Sequence, residues 1–99
     1  LARYEVHVAR YYLTRGAYLA AANRAAYVVE RFQTSPAVRD ALEVMAEAYD
    51  KLELPQLADD ARRVLALNEQ QGTFGVDPVK TPEKSWSQQV WNYLELDQN

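Results

Sequence analysis

From Tyr4 to Pro36 the apolar residues recur every three and four positions, the spacing of helices that each bury one side. Leu1, Tyr4, Val8, Tyr11 and Tyr12 form one such stripe. Ala21, Ala22, Ala25, Val28, Val29 and Phe32 form the next. Gly16 stands between them, where a residue free to take a positive φ can turn the chain back. The pattern predicts a hairpin of two helices, roughly Ala2 to Thr14 and Tyr18 to Phe32. A third stripe, Val38, Ala41, Leu42, Met45, Ala48, Tyr49 and Leu52, follows Ser35-Pro36, a pair suited to capping and opening a helix. A fourth, Leu57, Ala58, Ala61, Val64 and Leu65, follows Pro55 and runs to about Asn68. Glu53 occupies the place that Gly16 holds in the first hairpin, so the second turn is expected to differ in shape.

The two hairpins read as copies of one unit. Tyr12 and Tyr49 stand 37 residues apart, and at that shift Ala9 meets Ala46, Val8 meets Met45, Ala21 meets Ala58 and Val28 meets Leu65. The order small, aromatic, turn, small, apolar matches the tetratricopeptide repeat, whose usual period is about 34 residues, with the connection around Phe32-Gln33-Thr34-Ser35 lengthened. The small residues mark where paired helices approach closely, and the tyrosines fill gaps between helices. The simpler alternative is a helical bundle with a chance repeat. The expected fold is all-α: tetratricopeptide-like hairpins over residues 1–33 and 34–68, an irregular connection over 69–84, and a short helix over 85–96.

Composition narrows the function. The chain has 99 residues, enough for one domain, and is 48% hydrophobic. A net charge of −3 argues against a nucleic-acid interface, which wants a basic face. There is no cysteine, hence neither a disulfide framework nor a thiolate metal site. No apolar run approaches the roughly 18 residues of a membrane span. The first residue is Leu1, already inside a helical pattern, so the sequence is expected to be part of a longer or processed chain.

Little in the chain points to catalysis. His7 lies with Arg3, Glu5 and Arg10 on the polar side of the first helix, where it reads as a solvated side chain. Glu43 and Glu47 are four apart, but no histidine or third carboxylate completes an acid–base or metal site, and a solvated helix face explains them. Asp59 and Asp60 precede Arg62 and Arg63 in the order a helix dipole favours. Gly72 and Gly75 lack the Gly-Lys-Ser/Thr that would make a phosphate loop. No cofactor or metal is expected. Asn23 and Arg24 are different: they are the strongly polar residues on an otherwise alanine-rich helix. They either point to water or mark a docking face, since arginine is enriched at interfaces and grips carboxylates with a planar fork. Beyond Glu69, Trp86 and Trp91 stand on an amphipathic stretch from Pro82 to Leu96, read either as a helix capping the solenoid or as an arm that docks on a partner.

Tyr4-Glu5, Val8-Ala9, Tyr11-Tyr12, Arg15-Gly16-Ala17-Tyr18 and Asn23-Arg24, continuing through Arg39-Asp40-Ala41-Leu42 and Ala48-Tyr49, resemble the BamD (ComL) family. These are tetratricopeptide lipoproteins of the bacterial outer-membrane β-barrel assembly machinery. The likeness covers about two thirds of the chain, and the stretch from Arg15 to Arg24 is its specific part. It implies a non-catalytic scaffold at the periplasmic face of the outer membrane, tethered only through an N-terminal lipid anchor that this sequence lacks. It implies the last two of five repeats, with the BamA POTRA domain, BamC and BamE as partners and unfolded outer-membrane proteins as further candidate ligands. By the same resemblance Arg24 faces BamA. Asn23, Arg15, Tyr18, Trp86 and Trp91 join it as candidate partner-binding residues. Two rival functions remain. One is a generic tetratricopeptide module binding extended peptides, for which a carboxylate clamp could use Arg3 and Arg10. The other is an enzyme, for which no nucleophile–base pair exists.

Overall fold

The structure, a computed structural model, describes residues 1–81. Four α-helices run in order: α1 (Ala2–Thr14), α2 (Tyr18–Arg31), α3 (Val38–Lys51) and α4 (Pro55–Gln70). They form two antiparallel hairpins. α2 and α3 pack side by side at the middle, α1 flanks α2 and also touches α3, and α4 lies against α3. Ala9, Ala21, Ala22, Ala25, Ala26, Ala41, Ala48, Ala58 and Ala61 are all wholly buried, so the helices meet across alanine. Tyr49, Leu42, Met45, Leu57, Val28 and Val29 fill the remaining space.

The stripes of α2, α3 and α4 face the core as expected. Val44 and Ala46 are buried as well, because α3 has neighbours on several sides. The stripe of α1 does so only in part: Val8 is half-buried and Tyr12 packs partly buried against the core. Leu1 is 93% exposed, Tyr4 65% and Tyr11 50%, while Ala2, Val6 and Ala9 face the core. Close approach to α2 selects the side of α1 with small residues. The larger Tyr4 and Tyr11 lie on the uncovered side.

The turns supply the second correction. Glu53 takes φ 60, in the same left-handed region as Gly16 at φ 79. In both hairpins the residue after it donates its N–H five residues back, Ala17 to the Tyr12 carbonyl and Leu54 to the Tyr49 carbonyl, each at 2.9 Å. These are Schellman closures, and the second forms without glycine. α4 ends in the same way: Gly72 has φ 66 and Thr73 donates to the Asn68 carbonyl at 2.9 Å.

The start of α3 also differs from the reading of Ser35-Pro36. Ser35 Oγ accepts from the Ala37 N–H at 3.1 Å, holding a turn at Pro36-Ala37, and the helix begins at Val38. In α4 the charges at 59–63 lie mid-helix, away from the ends whose dipole they were expected to match. Arg63 pairs with Asp60, and Arg62 reaches across to Asp50 of α3.

Residues 72–80, irregular in conformation, are tied to the end of the bundle. Val79 is buried and donates its N–H to the Gln33 carbonyl at 3.1 Å. Asn68, wholly buried, holds the backbone of Lys80 on both sides: Nδ2 donates to its carbonyl at 3.1 Å, and its N–H donates to Oδ1 at 3.1 Å. α2 ends, α3 begins and α4 ends at the same end of the bundle, and this segment crosses it.

Candidate functional site

The site is built on the outer side of the first hairpin. α2 turns Ala20, Asn23, Arg24 and Tyr27 away from the core, and α1 sets Glu5 and Tyr12 beside them. Together they line an open hollow of about 410 Å³. At its centre Arg24 Nη1 donates to Glu5 Oε2 at 2.8 Å. The Arg24 side chain is 41% exposed and that of Glu5 19%, so the pair straddles the surface. The hydrogen bond that Arg24 donates to Glu5 pushes the Arg24 pKa up, against some desolvation, with Glu5's charge and Tyr12 adding smaller attractions. The guanidinium is therefore always charged and is held by Glu5, with Tyr12 beside it. A guanidinium has five N–H donors in a fixed fork, so donors remain for a further acceptor.

Asn23 and Arg24, picked out from sequence, stand together in this hollow. The other candidates lie elsewhere. Arg15 follows α1 and folds onto Tyr11, donating to its hydroxyl at 3.0 Å from Nε and 2.7 Å from Nη2. Tyr18 begins α2 and packs partly buried against the core. Trp86 and Trp91, with the capping or docking helix, lie outside the described residues. Sequence reading missed Glu5, placed among surface charges with Arg3 and His7, and Tyr12 and Tyr27 as walls of the hollow. The signal for Glu5 was available: it lies one turn from Val8 and Ala9 on the flank of α1 that a hairpin turns toward α2. Tyr27 extends the hollow, with Arg31 over its ring at 5.7 Å and Phe32 edge-on at 6.1 Å.

The groove between α1 and α3 has a different character. Arg10, Leu13, Thr14, Glu43, Val44 and Glu47 line it, and Arg10 is engaged with Asp40 at 3.7 Å. Among the described residues no three acidic or histidine side chains gather as a metal site would require, and no helix is long and apolar enough to cross a membrane.

Two tetratricopeptide-like hairpins, with a charged hollow on the outer side of the first, define the class as an α-solenoid unit of a repeat protein. The chain belongs to the family described as YfiO, outer membrane lipoprotein, which matches residues 1–65. It is 42% identical over 89 residues to the outer membrane protein assembly factor BamD of Neisseria meningitidis serogroup B, covering 90% of this chain and 32% of that protein. It is 46% identical over 67 residues to BamD of Xylella fastidiosa strain Temecula1, covering 68% and 23% of the two. It is 33% identical over 84 residues to BamD of Haemophilus influenzae, covering 85% and 31%. The chain thus spans between about a quarter and a third of the length of these relatives. No solved structure matches it.

Proposed function

We propose that the chain is a non-catalytic scaffold segment of an outer membrane protein assembly factor, acting at the periplasmic face of the outer membrane. Its first hairpin docks a folded partner domain, with Arg24 as the central contact. By family resemblance the partner is the BamA POTRA domain, and BamC and BamE bind the same protein. The observation that carries the reading is the half-exposed guanidinium of Arg24, oriented from behind by Glu5. A partner carboxylate meeting it is partly dehydrated, which strengthens the contact.

The rival reading, a module that captures extended peptides by their carboxylate, finds less support. The groove it needs is lined by Glu43 and Glu47, and Arg10 is already engaged.

Arg24→Ala is expected to weaken binding to a POTRA domain, measured by calorimetry. Losing one partner of a buried charge pair costs about 2–5 kcal/mol, and much less at a rim. Arg24→Glu is expected to weaken it further, and a charge reversal on the partner to restore it. Arg63→Ala, on α4, is the control and leaves affinity unchanged. Equal affinity of wild type and Arg24→Glu would sink the proposal.

A further inference from the structure

The outward side of α2 is a single stripe: Ala20, Asn23, Arg24, Tyr27 and Arg31 follow one another at helical spacing. Four of these residues suit water or the close approach of another surface. Tyr27 does not. It is a large ring, 43% exposed, and it lies outside the cluster of side chains that packs the core. The ring is nevertheless held in place. Arg31 lies over one face, 5.7 Å from the centroid, and Phe32, itself packed on the core, meets it edge-on at 6.1 Å. A side chain fixed in this way loses little freedom when a partner covers it.

The position of the ring gives that rigidity a use. Tyr27 stands about one turn along α2 from Arg24, and Tyr12 of α1 borders the same hollow. The hollow therefore combines a guanidinium, which keeps donors to spare, with two phenol rings. Its volume of about 410 Å³ is more than ten times the roughly 30 Å³ of a water molecule in the liquid, so a carboxylate on Arg24 leaves most of it open. Ala20 and the Tyr27 ring border it with carbon rather than charge. Tyr11, which also has an arginine over its ring, differs. Its hydroxyl takes both Nε and Nη2 of Arg15, and it does not border the hollow. Tyrosine and arginine are among the residue types that most often carry the affinity of an interface.

We propose that Tyr27 is the apolar anchor of the docking surface, and that the partner seats an apolar side chain on its ring beside the carboxylate that meets Arg24. The inference rests on the docking reading above and deepens it, adding a second contact and the chemistry of the partner. The occupant is a partner domain on which an acidic residue and an aliphatic or aromatic one stand side by side. The charge of Arg24 selects the acid. The ring selects its neighbour, because a polar side chain laid on it is stripped of water and gains no hydrogen bond from the ring face. An acid alone would leave Tyr27 in water and gain only an ion pair, which contributes little at an exposed rim.

The test adds a BamA POTRA domain to the whole 99-residue chain. Calorimetry is expected to show Tyr27→Ala binding about tenfold more weakly, with the melting temperature and the salt dependence of affinity kept as in wild type. Arg24→Ala is expected to weaken binding and to flatten that salt dependence, because it removes the charge. Tyr27→Phe keeps the ring and is expected to bind as wild type does. A second measurement needs no substitution. In NMR the Tyr27 ring signals are expected to shift as the domain saturates the chain, while those of Tyr4, 65% exposed and outside the hollow, stay in place. Unmoved Tyr27 ring signals at saturation would overturn the anchor. So would wild-type affinity in Tyr27→Ala while Arg24→Ala is weakened, and either result leaves the docking reading standing. Wild-type affinity in both alanine variants would remove the docking surface itself from this hollow, and the anchor with it.

Discussion

Glu53 holds a left-handed conformation that costs a side chain bearing a Cβ about 1–2 kcal/mol, yet it closes α3 with the same bonds that Gly16 makes for α1. Glu53→Gly is therefore expected to raise stability, by roughly 1 kcal/mol once the extra freedom of glycine in the unfolded chain is subtracted, read as a higher urea midpoint. Gly16→Ala is expected to lower it by about the same amount, through strain rather than a clash, since nothing lies within 4 Å of the added Cβ. Tyr49 is the second residue under tension. Its ring fills the centre of the core, but among the described residues its hydroxyl has no hydrogen-bond partner. Burial pushes its pKa up from the ordinary 10.0, with the charge of Glu30 adding to the shift. The folded state therefore keeps the phenol proton longer than the unfolded state. That contribution is complete below pH 10.0 and is lost as the pH rises above it. Tyr49→Phe is expected to leave neutral stability unchanged or raise it by up to about 1 kcal/mol, and to flatten the alkaline fall of the melting temperature. An unchanged alkaline limb in Tyr49→Phe would assign that fall to other groups.

The helices were legible because their periodicity was. The bounds of α1 and α4, and the buried stripes of α2, α3 and α4, follow from the spacing of apolar residues with Gly16 and Pro55 as punctuation. α1 was misread because size and burial part company there. Spacing marks Tyr4 and Tyr11 as readily as Ala2, Val6 and Ala9, and only the partner helix decides which side is covered. The turn at Glu53 was hidden because backbone closure, not residue type, fixes its φ. The loop over 72–80 was hidden because its order comes from a single side chain pairing with backbone, and backbone partners leave no trace in sequence. In the candidate site, Asn23 and Arg24 stood out against alanine, whereas Glu5 gained its role only when α1 and α2 were folded together. α2 itself offers a test of which side it buries. Ala21 is wholly buried and Ala20 exposed. Ala21→Leu is expected to cost about 1–3 kcal/mol or more by forcing α1 and α2 apart, and Ala20→Leu to change stability by less than about 0.5 kcal/mol. A larger cost at Ala20 than at Ala21 would mean that the helix is turned the other way.

At the scale of the molecule, charge and packing do separate work. Arg39–Glu69, Arg62–Asp50 and Arg10–Asp40 join helices across the surface with both partners about half exposed, so each contributes little. The Arg24–Glu5 pair is less exposed, and the hairpin depends on it modestly while the proposed docking depends on its polarity. These two roles can be pulled apart. Glu5→Arg or Arg24→Glu alone brings like charges together in the hollow and is expected to cost about 1 kcal/mol of stability. The double variant, Glu5→Arg with Arg24→Glu, rebuilds an ion pair in reverse and is expected to recover most of that loss, with a melting temperature close to wild type. Its outward edge now belongs to a carboxylate. A partner carboxylate approaching it meets repulsion, so the folded double variant is expected not to bind a BamA POTRA domain, and reversing the partner's charge is expected to restore binding. Wild-type affinity in the double variant would show that the hollow serves only to hold α1 against α2, and would move the docking surface away from Arg24.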